Sequence, residues 1–114
     1  MELNKTDRAQ LKEIIKKGIL KLCMEWLEQT DKLINKEYDN QENAFDRCME
    51  ITLRSRNFYK EAMRREDYYR TSQLITGASN LLIDGYLTED DFMECEEEIK
   101  NRVLFLADVR TRDL

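Results

Sequence analysis

The chain has no histidine, no proline and only three glycines in 114 residues. The missing histidine excludes most. Without an imidazole there is no Ser-His or Cys-His triad, no usual general base near neutral pH and no usual transition-metal ligand. The other two shortages concern the backbone, because proline interrupts a helical hydrogen-bond ladder and glycine loosens it. Long apolar runs are missing too. None approaches the roughly 18 residues of a membrane-spanning helix, and the opening MELNKTDRAQLKE is too polar for a signal peptide. Cysteines are few, odd in number and without a CxxC pair. Cys23, Cys48 and Cys95 are expected to be reduced and core-lining, in a cytoplasmic protein.

What remains favours helix. Hydrophobic residues make up 41% and charged residues 38% of the chain, and its length suits one domain, 1–114, around a single core. The expected fold is all-α: an antiparallel up-down bundle of four helices at about 7–38, 41–65, 70–84 and 89–110, with a long first helix. The alternative has three helices, with 41–84 a single bent one.

The first helix opens with Asp7 and Gln10 as a capping pair. Leu11, Ile15, Ile19, Leu22, Trp26, Thr30 and Leu33 fall within one arc of about 100°, a buried face. Beside them run Leu20, Met24, Leu27, Asp31, Ile34 and Tyr38 at heptad spacing, with Asp31 as a charged interruption. A helix with two seams needs two neighbours, either both in its own bundle or one from another subunit. On the second helix, capped by Asp39 and Glu42, the stripe is Ala44, Cys48, Ile51, Thr52, Ser55, Tyr59 and Ala62, flanked by Phe45, Phe58 and Met63. The next apolar set, Leu74 to Leu82, is rotated by about 120°. That predicts a break at 66–70, with Asp67 or Thr71 as the new cap.

At residues 81–92 the chain reads LLIDGYLTEDDF, and its acids invite comparison with a calcium loop. Aligning Gly85 with the invariant glycine of an EF-hand puts Leu82 at the third ligand position and a short Asp91 at the twelfth, which removes two needed oxygens. A corner explains more letters. Gly85 closes one helix, Thr88 and Asp91 make a capping box for the next, and Leu87 and Phe92 have staple spacing. From Asp84 to Glu98 there are eight acids and no base. Glu94, Glu97 and Glu98 are the candidate acidic docking face, against the simpler reading of a solvated helix surface.

Glu25 and Glu28 supply one Glu-x-x-Glu pair of the kind used by all-helical nucleotide pyrophosphohydrolases, but no second pair follows, and no family is assigned. The segment RSRNFYKEAMRREDYYR, 54–70, holds six bases and four aromatics. Arg54, Arg65, Tyr68, Tyr69 and Arg70 are the candidate nucleic-acid patch. Against it, Glu50 with Arg54 and Glu61 with Arg65 are spaced as intrahelical pairs, Phe58 and Tyr59 read as core, and the chain is net −5.

With the core stripes assigned, Leu20, Met24, Leu27, Ile34 and Tyr38 on the first helix and Leu104 and Phe105 on the last are left as a candidate partner interface. The sequence therefore reads as a small cytoplasmic helical-bundle protein that acts by protein–protein interaction, as adaptor, regulator or inhibitor, and that pairs with itself as a homodimer. It is not expected to be an enzyme, to carry a cofactor or metal, or to enter a membrane. A nucleic-acid accessory protein using 54–70 and a carboxylate–magnesium or –manganese hydrolase are the alternatives.

Overall fold

Helical periodicity becomes helix almost throughout. A computed structural model describes residues 3–37, 41–70 and 73–112, apart from the side chains at 41, 42, 69 and 70. It contains α1 (Lys5–Asn35), α2 (Gln41–Arg70), α3 (Leu74–Ile83), a 3-10 turn (Glu89–Phe92) and α4 (Glu97–Arg112), with no strand among the described residues. The all-α class, the four helices and the long first helix are as expected.

The ends differ in informative ways. α1 starts one position after Asn4, whose side-chain oxygen accepts the Asp7 N–H at 2.8 Å while the Asp7 carboxylate accepts the Asn4 N–H. Asp7 therefore closes a capping box and does not open one, because Asn4 supplies the cap three residues earlier. The helix ends at Asn35, short of the expected 38. Tyr38 and Asp39 lie outside the described residues, as does the side chain of Glu42, and with them the expected Asp39–Glu42 cap. α2 continues through the expected break at 66–70 to Arg70, and Gln73 is the non-helical residue before α3; Thr71, the expected alternative cap, lies outside the described residues. Arg65 and Tyr68 explain this. Both face neighbours on the last turns of α2, so helix there is held by packing.

Gly85, at φ +84°, closes α3 as expected. Beyond it the N–H groups of Tyr86 and Leu87 both donate to the Leu81 carbonyl, at 3.0 and 3.3 Å. Thr88 donates its N–H to the Asp91 carboxylate at 2.8 Å. That box starts only a single 3-10 turn, and α4 begins at Glu97 and not at Glu89. Leu87, Phe92 and Cys95 are all turned into the core across this stretch, so a compact turn imitates the spacing of helix.

The core is assembled from Leu11 and Ile15 of α1, Leu74, Ala78 and Leu81 of α3, Leu87, Phe92 and Cys95 of the corner, and Ile99 and Val103 of α4. No described side chain of α2 belongs to it. Of the described α2 side chains only Arg65 is buried, so Cys48 and Tyr59, expected inside, are both exposed. The reason is geometric. α3 packs against the first half of α1 and the end of α2, with α4 packed on α3, and both are too short to follow the two long helices outward. The molecule measures 59 × 28 × 20 Å, and its radius of gyration, 17.7 Å, exceeds the about 13 Å of a compact chain of this length. The excess is an arm, made of α1 from Leu20 onward and α2 up to about Arg64.

Candidate interaction surface

Within the arm each helix buries one stripe against the other. Leu22 is buried, Trp26, Thr30 and Leu33 of α1 are half-buried, and so are Ala44, Ile51, Ser55, Phe58 and Ala62 of α2. The rings of Trp26 and Phe58 stack with centroids 4.7 Å apart, which fixes the register of the antiparallel pair. Toward the tip the Arg47 guanidinium donates to the Glu37 carbonyl at 2.7 Å.

Each helix also carries a second stripe that is largely exposed. On α1 it is Leu20, Met24, Leu27 and Ile34; on α2 it is Phe45, Met49, Leu53, Tyr59 and Met63. At 100° per residue each stripe lies about 125° round its helix from the Trp26–Phe58 contact line, in the same rotational sense. Antiparallel helices turn in opposite senses when viewed from one end, so the two stripes come out on the same side of the hairpin. The groove at the base of the arm agrees, since it brings Lys16, Ile19 and Leu20 of α1 together with Glu66 of α2. Gly18 of α1, on the other side, packs against Leu81 and Leu87. The arm therefore turns one face toward the α3–α4 body and a largely apolar face to solvent. Met24 is 69% exposed and Phe45 65%. Isolated exposed hydrophobes are ordinary, whereas two neighbouring exposed apolar stripes of this extent are not.

Of the sequence-predicted interface, Leu20, Met24, Leu27 and Ile34 come together on this face, while Tyr38 lies outside the described residues. Phe105 and Leu104 do not join them. Phe105 is exposed beside Ile75 and Leu106 in a groove between α3 and α4, and Leu104 is half-buried. The stripe on α2 is what sequence reasoning missed. Periodicity puts Phe45, Tyr59 and Met63 on or beside the core-facing side, and they are exposed because, among the described residues, α3 and α4 do not extend along this part of α2.

The proposed nucleic-acid patch is dispersed. Arg54 is exposed and paired with Glu50 at 3.0 Å. Arg65 is withdrawn from the patch. It is only 6% exposed, bonded to Glu61 and Asp84, and it lies over the Tyr86 ring with its Cζ 5.6 Å from the centroid. One of its terminal nitrogens, Nη1, has no hydrogen-bond partner. Tyr68 sets its Cβ against the Gly77 backbone position, and the side chains of Tyr69 and Arg70 lie outside the described residues. Glu94, Glu97 and Glu98 are all exposed but point to different surroundings. Glu94 borders a cleft with Gln10, Glu13 and Lys17, and its carbonyl accepts from Gln10 at 2.8 Å, whereas Glu98 borders the Phe105 groove.

Burial, and after it the charges of Asp7 and Glu94, push the Cys95 thiol up, away from the thiolate that a nucleophile or metal ligand requires. Burial and the Glu25 carboxylate likewise raise Tyr86. Among the described residues no three His, Cys, Asp or Glu side chains gather as a metal site, and no helix is long and apolar enough to cross a membrane. Comparisons with known protein families, curated proteins and solved structures found no match.

Asp91 has a structural part. Burial alone would raise its carboxyl, but the hydrogen bonds from the Lys17 ammonium and the Thr88 N–H outweigh burial and hold it below its ordinary value of 3.8. A carboxyl depressed on folding adds stability at pH above its unfolded value, and loses it as pH falls through the folded value. Asp91→Asn is expected to flatten the acid limb of melting temperature against pH, below about pH 4. An unchanged limb would mean that the Lys17 pair contributes nothing to folding.

Proposed function

We propose that this protein is an interaction module in which the α3–α4 body holds a two-helix arm and the arm docks a protein partner through its apolar face. The supporting observation is the single-sided gathering of two unpartnered stripes, from α1 and α2, away from the body. Such a face suits a helical partner surface, which would supply the knobs and holes that the arm's own two helices cannot supply on that side. The acidic balance, net −5, and three free cysteines fit a cytoplasmic setting with a reducing environment. An adaptor, regulator or inhibitor acts through such a surface without chemistry of its own.

The test is affinity purification from the native host with the wild-type chain and with Met24→Glu/Met49→Glu. Both side chains are more than half exposed, so folding should be unaffected and circular dichroism superimposable. Protein recovered with the wild type should be absent from the variant. Equal recovery would overturn the reading, and so would salt-sensitive recovery of nucleic acid alone, which would instead favour the accessory-protein alternative.

A further inference from the structure

We infer that the occupant of the apolar face is the same face of a second copy, the two arms forming a four-helix bundle whose two-fold axis runs parallel to the helices. The inference rests on the docking role proposed above and adds the partner and its orientation.

Extent comes first. The nine exposed side chains present roughly 900 Å², at about 180 Å² for a whole large side chain. A standard stable interface needs about 800 Å² from each partner. The face is therefore large enough to sustain a dimer without help from α3 or α4. A hairpin with stripes on both helices is also self-complementary, which a two-fold interface requires.

Charge then selects the arrangement. The ionised interruptions of the two stripes are opposite in sign: Asp31 on α1, and Arg56 with Lys60 on α2, all exposed. Arg56 makes no ion pair among the described residues, and Asp31 accepts only the Asn35 amide, at 3.0 Å. The Trp26–Phe58 stack sets their levels. Asp31 lies five residues toward the tip from Trp26 and Arg56 two residues toward the tip from Phe58, so they differ by about 4.5 Å in height. With the two-fold axis along the helices, α1 of each copy lies antiparallel on α2 of the other at the same level, and Asp31 meets the partner's Arg56 twice. With the axis across the helices, α1 lies on α1, α2 lies on α2, and Arg56, near the middle of the face, falls opposite its own copy. Like charges in a desolvated seam are costly, so the first arrangement is selected.

The experiment is light scattering and analytical ultracentrifugation of the full chain at micromolar concentration. The wild type should be a dimer. Leu27→Glu should be a monomer with unchanged helix content. Asp31→Arg alone and Arg56→Asp alone should each weaken dimerisation at least about tenfold, and the double swap should restore it to within about threefold of the wild type. A dimer indifferent to Leu27→Glu would overturn the surface, and a double swap no better than the single changes would overturn the orientation. A monomeric wild type would overturn self-pairing. If host protein were still captured through the arm, the docking role would survive that result. Without such capture both would fall.

Discussion

Phe92→Ala should cost about 3–5 kcal/mol of folding stability, the largest loss expected from any single truncation in this chain. Phe92 is fully buried and is among the largest side chains in the core. It stands on a four-residue 3-10 turn that has too little hydrogen bonding to persist by itself. The ring is what ties that turn to α1, α3 and α4. Whole domains of this kind are stable by only about 5–15 kcal/mol, so the variant should melt far below the wild type and sit close to unfolding at growth temperature. Urea denaturation followed by circular dichroism measures the difference. Met93→Ala, next in sequence but 69% exposed, should change stability by less than about 0.5 kcal/mol. Equal effects at the two positions would mean that the turn does not anchor the core.

Gly77→Val should be nearly as damaging, by about 3 kcal/mol. A Cβ at this position would stand 2.8 Å from the Cβ of Tyr68, closer than two carbons approach. Tyr68 cannot swing away, because its Cβ is fixed to the α2 backbone, so the end of α2 would have to lift off α3. In an unpacked helix the same change would be favourable, since valine is a better helix former than glycine. Close packing must therefore outweigh propensity for the variant to lose stability. Gly18 gives a contrast. A Cβ there meets only side-chain carbons of Leu81 and Leu87, at 3.0 Å and beyond, which can shift. Thermal melts of Gly77→Val no lower than wild type would show that α2 is not seated on α3.

Much of this architecture can be read from periodicity. The α1 seam through Leu11, Ile15 and Leu22 is buried, and the corner at Gly85 closes as its letters imply, because both follow from local stereochemistry. What could not be read were the quantities set by reach. Nothing in the spacing of α2 distinguishes Phe58, stacked on Trp26, from Tyr59, which is exposed. The difference depends on where α3 and α4 stop, and their lengths matter only once packed. Arg65 shows the same limit. Its spacing from Glu61 suggests an exposed intrahelical pair, and only the fold brings Asp84 and Tyr86 to it. The candidate interface was half legible. Four residues of α1 are declared by their heptad steps, whereas the α2 stripe emerges only when the opposing layer is seen to be missing.

The arm has a hydrodynamic consequence. A particle 59 Å long and 20 Å thick drags more water than a sphere of equal mass, so it diffuses more slowly and is excluded from more of a porous gel. A single chain would thus travel through a column as a heavier body does. Two arms laid face to face would thicken the rod more than lengthen it, and pairing would change the elution volume less than the doubling of mass suggests.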